Sequence, residues 1–399
     1  MIKVIGVGGG GCNAVTYMYN QKIEGCSFIV CNTDSQALQR SNVPTKIQMG
    51  RGLGAGTDPA EGRKAALETM ETIDEIAFGE ETKMVFITAG LGGGTGTGAA
   101  PVIAKMAKDK GILTVGVVTI PFDNEGNESL SKAIDGVHEM EKNVDSLLII
   151  KNQNIIKFYG DLLVQDAFPK SNEVLTTAVR AITEIIGKSG YINVDFHDVV
   201  KMMRNSGCAL MGSGCGSGES RIEEAVKQAF NSPLLNDYDL KSAKNILLNV
   251  TVGLNENGVL ASEYEKINVE IAKYIGKTNH FKQGLIYETD PSFGDKIIIT
   301  AIVTGLQFSD IIGPGEDLGN YILIDKNFIY SKDNSEGMEI SIPTTFTRRT
   351  KIGYNTAENR RTYHFDENDV PELIKKPGED KSRLESEPAI RRIVRNDKK

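Results

Sequence analysis

The sequence predicts an α/β fold in which a parallel sheet, covered by helices on both faces, is followed by a smaller α+β domain and an unstructured tail. Three observations carry that prediction. Apolar runs that do not alternate with polar residues are separated by helical stretches, as in strands buried on both faces. Two glycine-rich turns each stand between such a run and a helix. Beyond residue 308 the apolar runs decay, and over 351–399 basic and acidic residues mix in near balance around isolated apolar ones, a composition that buries no core.

Residues 2–7 (IKVIGV) form the first strand, ending in glycines, and 13–21 continue as a helix. Residues 28–31 are a second strand that ends in Asn-Thr-Asp. The turn RGLGAG (51–56) leads to TDPAEG, where Thr57 or Asp58 caps a helix. Residues 84–89 (MVFITA) are a third strand and run into GGGTGTG (92–98), followed by an apolar helix over 99–108. Strands follow over 112–119 and 146–150. Apolar Val174, Leu175, Ala178, Ile182, Ile185 and Ile186 make 173–187 one long helix joining two halves. In the second half, helices over 219–230 and 262–275 alternate with strands over 245–252, 284–288 and 296–303.

The composition, 40% hydrophobic and 25% charged, is that of a soluble globular protein. A net charge of −8 argues against a general nucleic-acid binder. No apolar run approaches the ~20 residues of a membrane span, and the N-terminus enters a strand directly, without a signal-peptide layout. A cytoplasmic protein is expected. Cys12, Cys26, Cys31, Cys208 and Cys215 form no Cys-x-x-Cys pair, so reduced, mostly buried thiols are expected in place of disulfides or zinc.

Gly6, Gly8 and Gly11 fit Gly-x-Gly-x-x-Gly, a dinucleotide fingerprint with Asp34 as the acid after the second strand. The GGGTGTG run changes the balance. A linker does not sit between two buried elements, and two such turns in one parallel sheet set two helix N-termini side by side. Each offers free N–H groups and partial positive charge, suited to a polyphosphate. There is no Gly-x-x-x-x-Gly-Lys-Ser/Thr, so the chain has no Walker lysine. In YINVDFHDVVKMM (191–203), Asn193 and Asp195 precede a helix start and Asp198 lies three residues on. These carboxylates either cap the helix or polarise water and help hold a metal; spacing does not choose.

The runs VIGVGGGGCNAV, VCNTDSQAL, RGLGAGTDP, MVFITAGLGGGTGTGAAPVIA, LTVGVVTIPF, INVDFHDV and ALMGSG stand in the order and spacing of the FtsZ family, bacterial relatives of tubulin, over residues 1–305. The resemblance implies a tubulin/FtsZ-type GTPase domain over 1–170, a central helix over 171–190 and a second domain over 191–308. A variable extension and linker over 309–387 and a C-terminal partner-binding peptide over 388–399 follow. It implies GTP and GDP as ligands, with Mg²⁺. Gly8, Gly9, Gly10, Gly11 and Asn13 would line the nucleotide, and Gly54, Ala55 and Gly56 would approach the γ-phosphate. Gly94, Thr95 and Gly96 would hold the phosphates, Glu125 the ribose, and Phe168 would flank the guanine. Asn193, Asp195 and Asp198 would activate hydrolysis on the next subunit of a head-to-tail filament at the mid-cell division ring. The worn peptide EPAIRRIVRNDKK would dock membrane-tethering and regulatory division proteins, without membrane insertion or nucleic acid.

Three positions depart from the family pattern. The usual arginine before Pro121 is Ile120. The usual arginine after Glu125-Gly126 is Ser129, and the guanine-reading aspartate is Asn172. One acceptor replaces two at Asn172, and a cation is missing at Ser129. Weaker binding or slower turnover is therefore expected, and a filament or regulatory paralogue with little GTPase activity stays open. The dinucleotide oxidoreductase reading leaves GGGTGTG unexplained.

Overall fold

The computed structural model describes residues 1–154, 163–187, 191–192, 194–232, 235, 240, 243–275, 280–306, 323–324 and 362–363. The chain divides into two compact units, Met1–Glu316 and Asp317–Lys399. In the second, Leu323–Ile324 pairs in parallel with Thr362–Tyr363. The rest of the expected linker, and the C-terminal peptide, lie outside the described residues.

The first unit opens with β1 (Ile2–Val7), α1 (Gly8–Asn20), β2 (Cys26–Asn32), α2 (Ser35–Arg40) and β3 (Thr45–Gln48). Then come α3 (Pro59–Glu68), α4 (Met70–Ala77), β4 (Met84–Gly90), α5 (Thr95–Asp109), β5 (Leu113–Ile120), α6 (Asn127–Asn143) and β6 (Ser146–Lys151). The long α7 (Val164–Gly187) and short α8 (Phe196–Met203) lead to β7 (Gly207–Gly216), α9 (Arg221–Phe230), β8 (Asn245–Gly253), α10 (Ala261–Ile271), β9 (His280–Glu288) and β10 (Ile297–Leu306). Ten strands form one sheet, in the order β3-β2-β1-β4-β5-β6-β7-β10-β8-β9. Pairing is parallel from β3 to β6. β6 meets β7 over three residue pairs. β10 runs antiparallel to β7 and β8, and β9 is parallel to β8. The expected parallel sheet and the smaller mixed second half are both present.

The parallel strands β1, β2, β4, β5 and β6 are largely buried on both faces, which is why they are mainly apolar, whereas β3 at the sheet edge alternates. On one face Val4, Phe86, Val115 and Leu148 join α1 and α7 through Val15, Met18, Val179 and Ile182. On the other, α6 closes over Gly116 with Met140 and Val144 at its end. Three helices start earlier than their apolar pattern predicts. α1 begins at Gly8, inside the first glycine run. α5 begins at Thr95, inside GGGTGTG, where threonine and glycine are weak helix formers. Tertiary contact sets that start, because Gly98 lies against the Pro59 carbonyl of α3 and leaves no room for a Cβ. α7 begins at Val164 with Pro169 inside it, a residue that ordinarily ends a helix.

β7 was not among the expected strands, because ALMGSGCG is too glycine-rich to read as one. Its alternate glycines explain the choice. A Cβ on Gly212, Gly214 or Gly216 would stand 1.9, 2.1 or 2.0 Å from a carbonyl oxygen of Ala229, Ala225 or Arg221. Glycine on every second position lets α9 lie directly on the strand.

Candidate active site

The first strand passes into α1 without an intervening loop, and β4 reaches α5 through four residues. Among the described residues, no side chain caps either helix. The contrast with α2, α3 and α8 is plain, since Asp34, Asp58 and Asp195 accept backbone N–H groups at those starts. The first-turn N–H groups of α1 and α5 therefore keep their hydrogen-bonding capacity for a ligand, and the helix dipoles favour an anion.

Glycine brings the two starts together. Gly8 has φ +72°, and a Cβ there would lie 2.7 Å from the Gly96 nitrogen. A Cβ on Gly10 would meet the Gly90 Cα at 3.2 Å, and one on Gly11 the Thr88 carbonyl oxygen at 2.2 Å. Gly9 and Gly93 have open space above them, and Gly9, Gly10 and Asn13 are exposed. The Thr33 and Thr95 hydroxyls sit 2.6 Å apart beside this cradle. Asp34 Oδ1 caps α2, accepting from Gln36 and Ala37. The Cys12 thiol below Gly11 donates to the Cys31 carbonyl at 3.4 Å. Burial pushes its pKa up to about 12, so it offers no nucleophile.

The loop carrying Gly54, Ala55 and Gly56 lies against the second turn. A Cβ on Gly94 would stand 2.8 Å from both Ala55 Cβ and the Asp58 nitrogen. Gly54 donates its N–H to the Thr33 carbonyl at 2.9 Å, which fixes the loop but removes that donor. The N–H groups of Ala55, Gly56 and Thr57 make no hydrogen bond among the described residues. Sequence reasoning missed a cation here. Lys132 of α6 donates to the Thr57 carbonyl at 3.1 Å and pairs with Glu128 at 2.5 Å. Leu130, Ile134, Val137 and Met140 carry the helical spacing that would have found α6, and Glu128 with Lys132 is an i,i+4 pair.

Ser129 backs onto the cradle, its carbonyl 2.9 Å from where a Cβ on Gly92 would be. Glu125 Oε1 accepts the Phe122 N–H at 2.9 Å, so the carboxylate also braces its own turn. Asn172 is half-buried on α7. Phe168 belongs to the same helix, with its side chain outside the described residues.

Asn193 lies outside the described residues. Asp195 caps α8, accepting the Asp198 N–H at 2.7 Å, and Asp198 pairs with Lys282 of β9 at 2.8 Å. Hydrogen bonding to Asp198, with the charge of Asp195 behind it, raises the Lys282 pKa above the ordinary lysine range. Both predicted roles of Asp195 were open from spacing; the cap is the one seen.

These carboxylates are not brought to the cradle. The cradle lies at the C-terminal ends of β1 and β4. α7 starts at the same edge, where Ser171 reaches Asn152 beyond β6. It ends beside 21–25, at the entry to β2, where Arg180, Thr183 and Gly187 line a cleft with Gln21 and Lys22. The exit of α8 is at that far edge too: Arg204 donates to the Gly111 carbonyl and Ser206 to the Asp145 carbonyl. Twenty-four residues of α7 span about 36 Å. Among the described residues no group of three acidic, histidine or cysteine side chains forms a metal cage.

Residues 1–160 match the Tubulin/FtsZ family, GTPase domain, and residues 207–307 match the FtsZ family, C-terminal domain. A Cell division protein FtsZ from Porphyromonas gingivalis is 45% identical over 329 residues, covering 81% of this chain and 71% of its own length. One from Pseudomonas putida is 46% identical over 311 residues, 77% and 76% of the two chains. Among solved structures, an empty FtsZ dimer from M. jannaschii gives a TM-score of 0.70 at 37% identity, over 76% of this chain and 88% of that one. A GDP-bound CetZ1 monomer from Haloferax volcanii shares the fold, with a TM-score of 0.66 at 20% identity over 78% and 95%. With both domains matched in order, and close relatives matched along most of their length, the chain belongs to the FtsZ family of tubulin-like GTPases.

Proposed function

We propose that the chain binds GTP in the cradle, polymerises head to tail, and hydrolyses GTP to GDP where two copies meet. The observation that carries this is the separation of the cradle from Asp195 and Asp198, about 36 Å along α7. Carboxylates at that distance do no chemistry on their own chain's phosphates. A second copy whose α8 edge covers the cradle closes the gap, and such a heterologous contact extends into a filament.

In this reading residues 1–170 bind nucleotide, 171–190 connect, and 191–308 supply the activating loop. The free N–H groups at Gly8, Gly9, Gly10, Gly94, Thr95 and Gly96 hold phosphate oxygens, with Gly11 lining the site below them, and the 55–57 loop meets the γ-phosphate. Asn13 lines the nucleotide, Glu125 takes the ribose, Phe168 flanks the guanine, and Asn172 reads its edge. The donor set suits phosphate oxygens, and Mg²⁺ would rest mainly on those oxygens and water, supplying charge neutralisation. Asn193, Asp195 and Asp198 of the neighbour orient water toward the γ-phosphorus, while Lys282 fixes where the Asp198 carboxylate points. The water oxygen bonds to the γ-phosphorus as the bond to the bridging oxygen breaks, and GDP and inorganic phosphate leave.

GTPase activity per subunit should rise with protein concentration, together with light scattering; activity per subunit independent of concentration would overturn the shared site. Asp198→Ala should bind GTP and lose hydrolysis. Loss of GTP binding would mean that the loop has been assigned the wrong task.

Ser129 and Asn172 favour a second reading, a filament-forming or regulatory relative with little turnover. Phosphate release under polymerising conditions, beside a Ser129→Arg, Asn172→Asp variant, separates the two. Among the described residues no helix is long and apolar enough to cross a membrane. The proposed setting is the cytoplasm at the mid-cell division ring, with membrane-tethering and regulatory partners on residues 388–399.

A further inference from the structure

Three features converge on the loop after Gly54. Gly54, Gly56 and Thr57 have φ of +84°, +55° and +63°, and a left-handed threonine persists only where its surroundings hold it. Thr57 is held through its carbonyl by Lys132. Beside it, three N–H groups at 55–57 have no partner among the described residues. The Lys132 ammonium carries three donors, of which Thr57 and Glu128 take two. Its side chain is 24% exposed, while that of Glu128 is 83% exposed. The lysine stem is thus packed and aimed, whereas the carboxylate is free to swing away.

We propose that Lys132 is the residue that distinguishes a triphosphate from a diphosphate in this cradle: it latches the 55–57 loop and turns its spare donor to the terminal phosphate. Glu128 neutralises it while the cradle is empty and releases it when a stronger anion arrives. The cation absent at Ser129 is supplied one helical turn later, from the same face of α6. This rests on the reading of the cradle as a guanine-nucleotide site.

The test is the affinity of the full chain for GTP and for GDP, measured by displacement of a fluorescent nucleotide. Lys132→Met should lose roughly tenfold in GTP affinity and little in GDP affinity, Lys132→Arg should restore the preference, and Glu128→Gln should raise it. An unchanged GTP-to-GDP ratio in Lys132→Met, or an equal loss for both nucleotides, would overturn the proposal, as would a lowered ratio in Glu128→Gln. A parent chain that binds neither nucleotide would instead sink the reading of the cradle, and this proposal with it.

Discussion

Two neighbouring glycines in one turn have different tasks. Gly11 is needed by the fold, because a Cβ there would press on the Thr88 carbonyl. Gly11→Ala should cost roughly 1–3 kcal/mol or more, read as a lower Tm. Gly9 faces open space, so Gly9→Ala should leave Tm unchanged and weaken GTP binding. The cysteines divide in a similar way. Cys12, Cys31 and Cys208 are buried and Cys215 is exposed, while burial pushes Cys26 up to about 12. A polar alkylating reagent at pH 7.5 should label Cys215 first and reach Cys12, Cys31 and Cys208 only after unfolding. At this scale the glycines of the cradle were legible in the sequence, since glycine between a buried strand and a helix has few other uses. Lys132 and Lys282 were not, because each acquires its meaning from a partner on another element.

Elements were legible where a strand is buried on both sides or a helix has one apolar stripe. They were lost where packing overrides propensity, as in β7, whose glycines make sense only with α9 lying on them. The start of α9 is tied down by Arg221. All five of its guanidinium donors are used: two on Glu263 and one each on the carbonyls of Asn257, Gly258 and Asp295. Arg221→Met should destabilise by about 3 kcal/mol, measured by denaturant unfolding. The hydrogen bond from Arg221 holds the Glu263 carboxyl below the usual glutamate range. This contribution is therefore full above the ordinary glutamate pKa of about 4.3 and is lost as pH falls through the lower folded value. Glu263→Gln should flatten that acid limb of the unfolding curve.

For the whole molecule, the parallel core and the smaller second half followed from the order of apolar runs. The separation of cradle and carboxylates did not, because it depends on which way α7 runs along the sheet. That direction makes a mixing experiment decisive. Asp198→Asn and Gly9→Val should each be inactive alone, yet recover phosphate release when combined, because one keeps the cradle and the other keeps the loop. A mixture no more active than its parts would count against a site built from two copies. The same separation gives any row of these subunits a direction and an age. Under the proposed shared site, the subunit whose cradle faces solvent at one terminus would hold GTP that no neighbour can cleave, while at the opposite terminus a loop would wait without a nucleotide. A newly added molecule would then stay charged until the next one lands on it. The row would remain fresh at that tip and grow old from the inside.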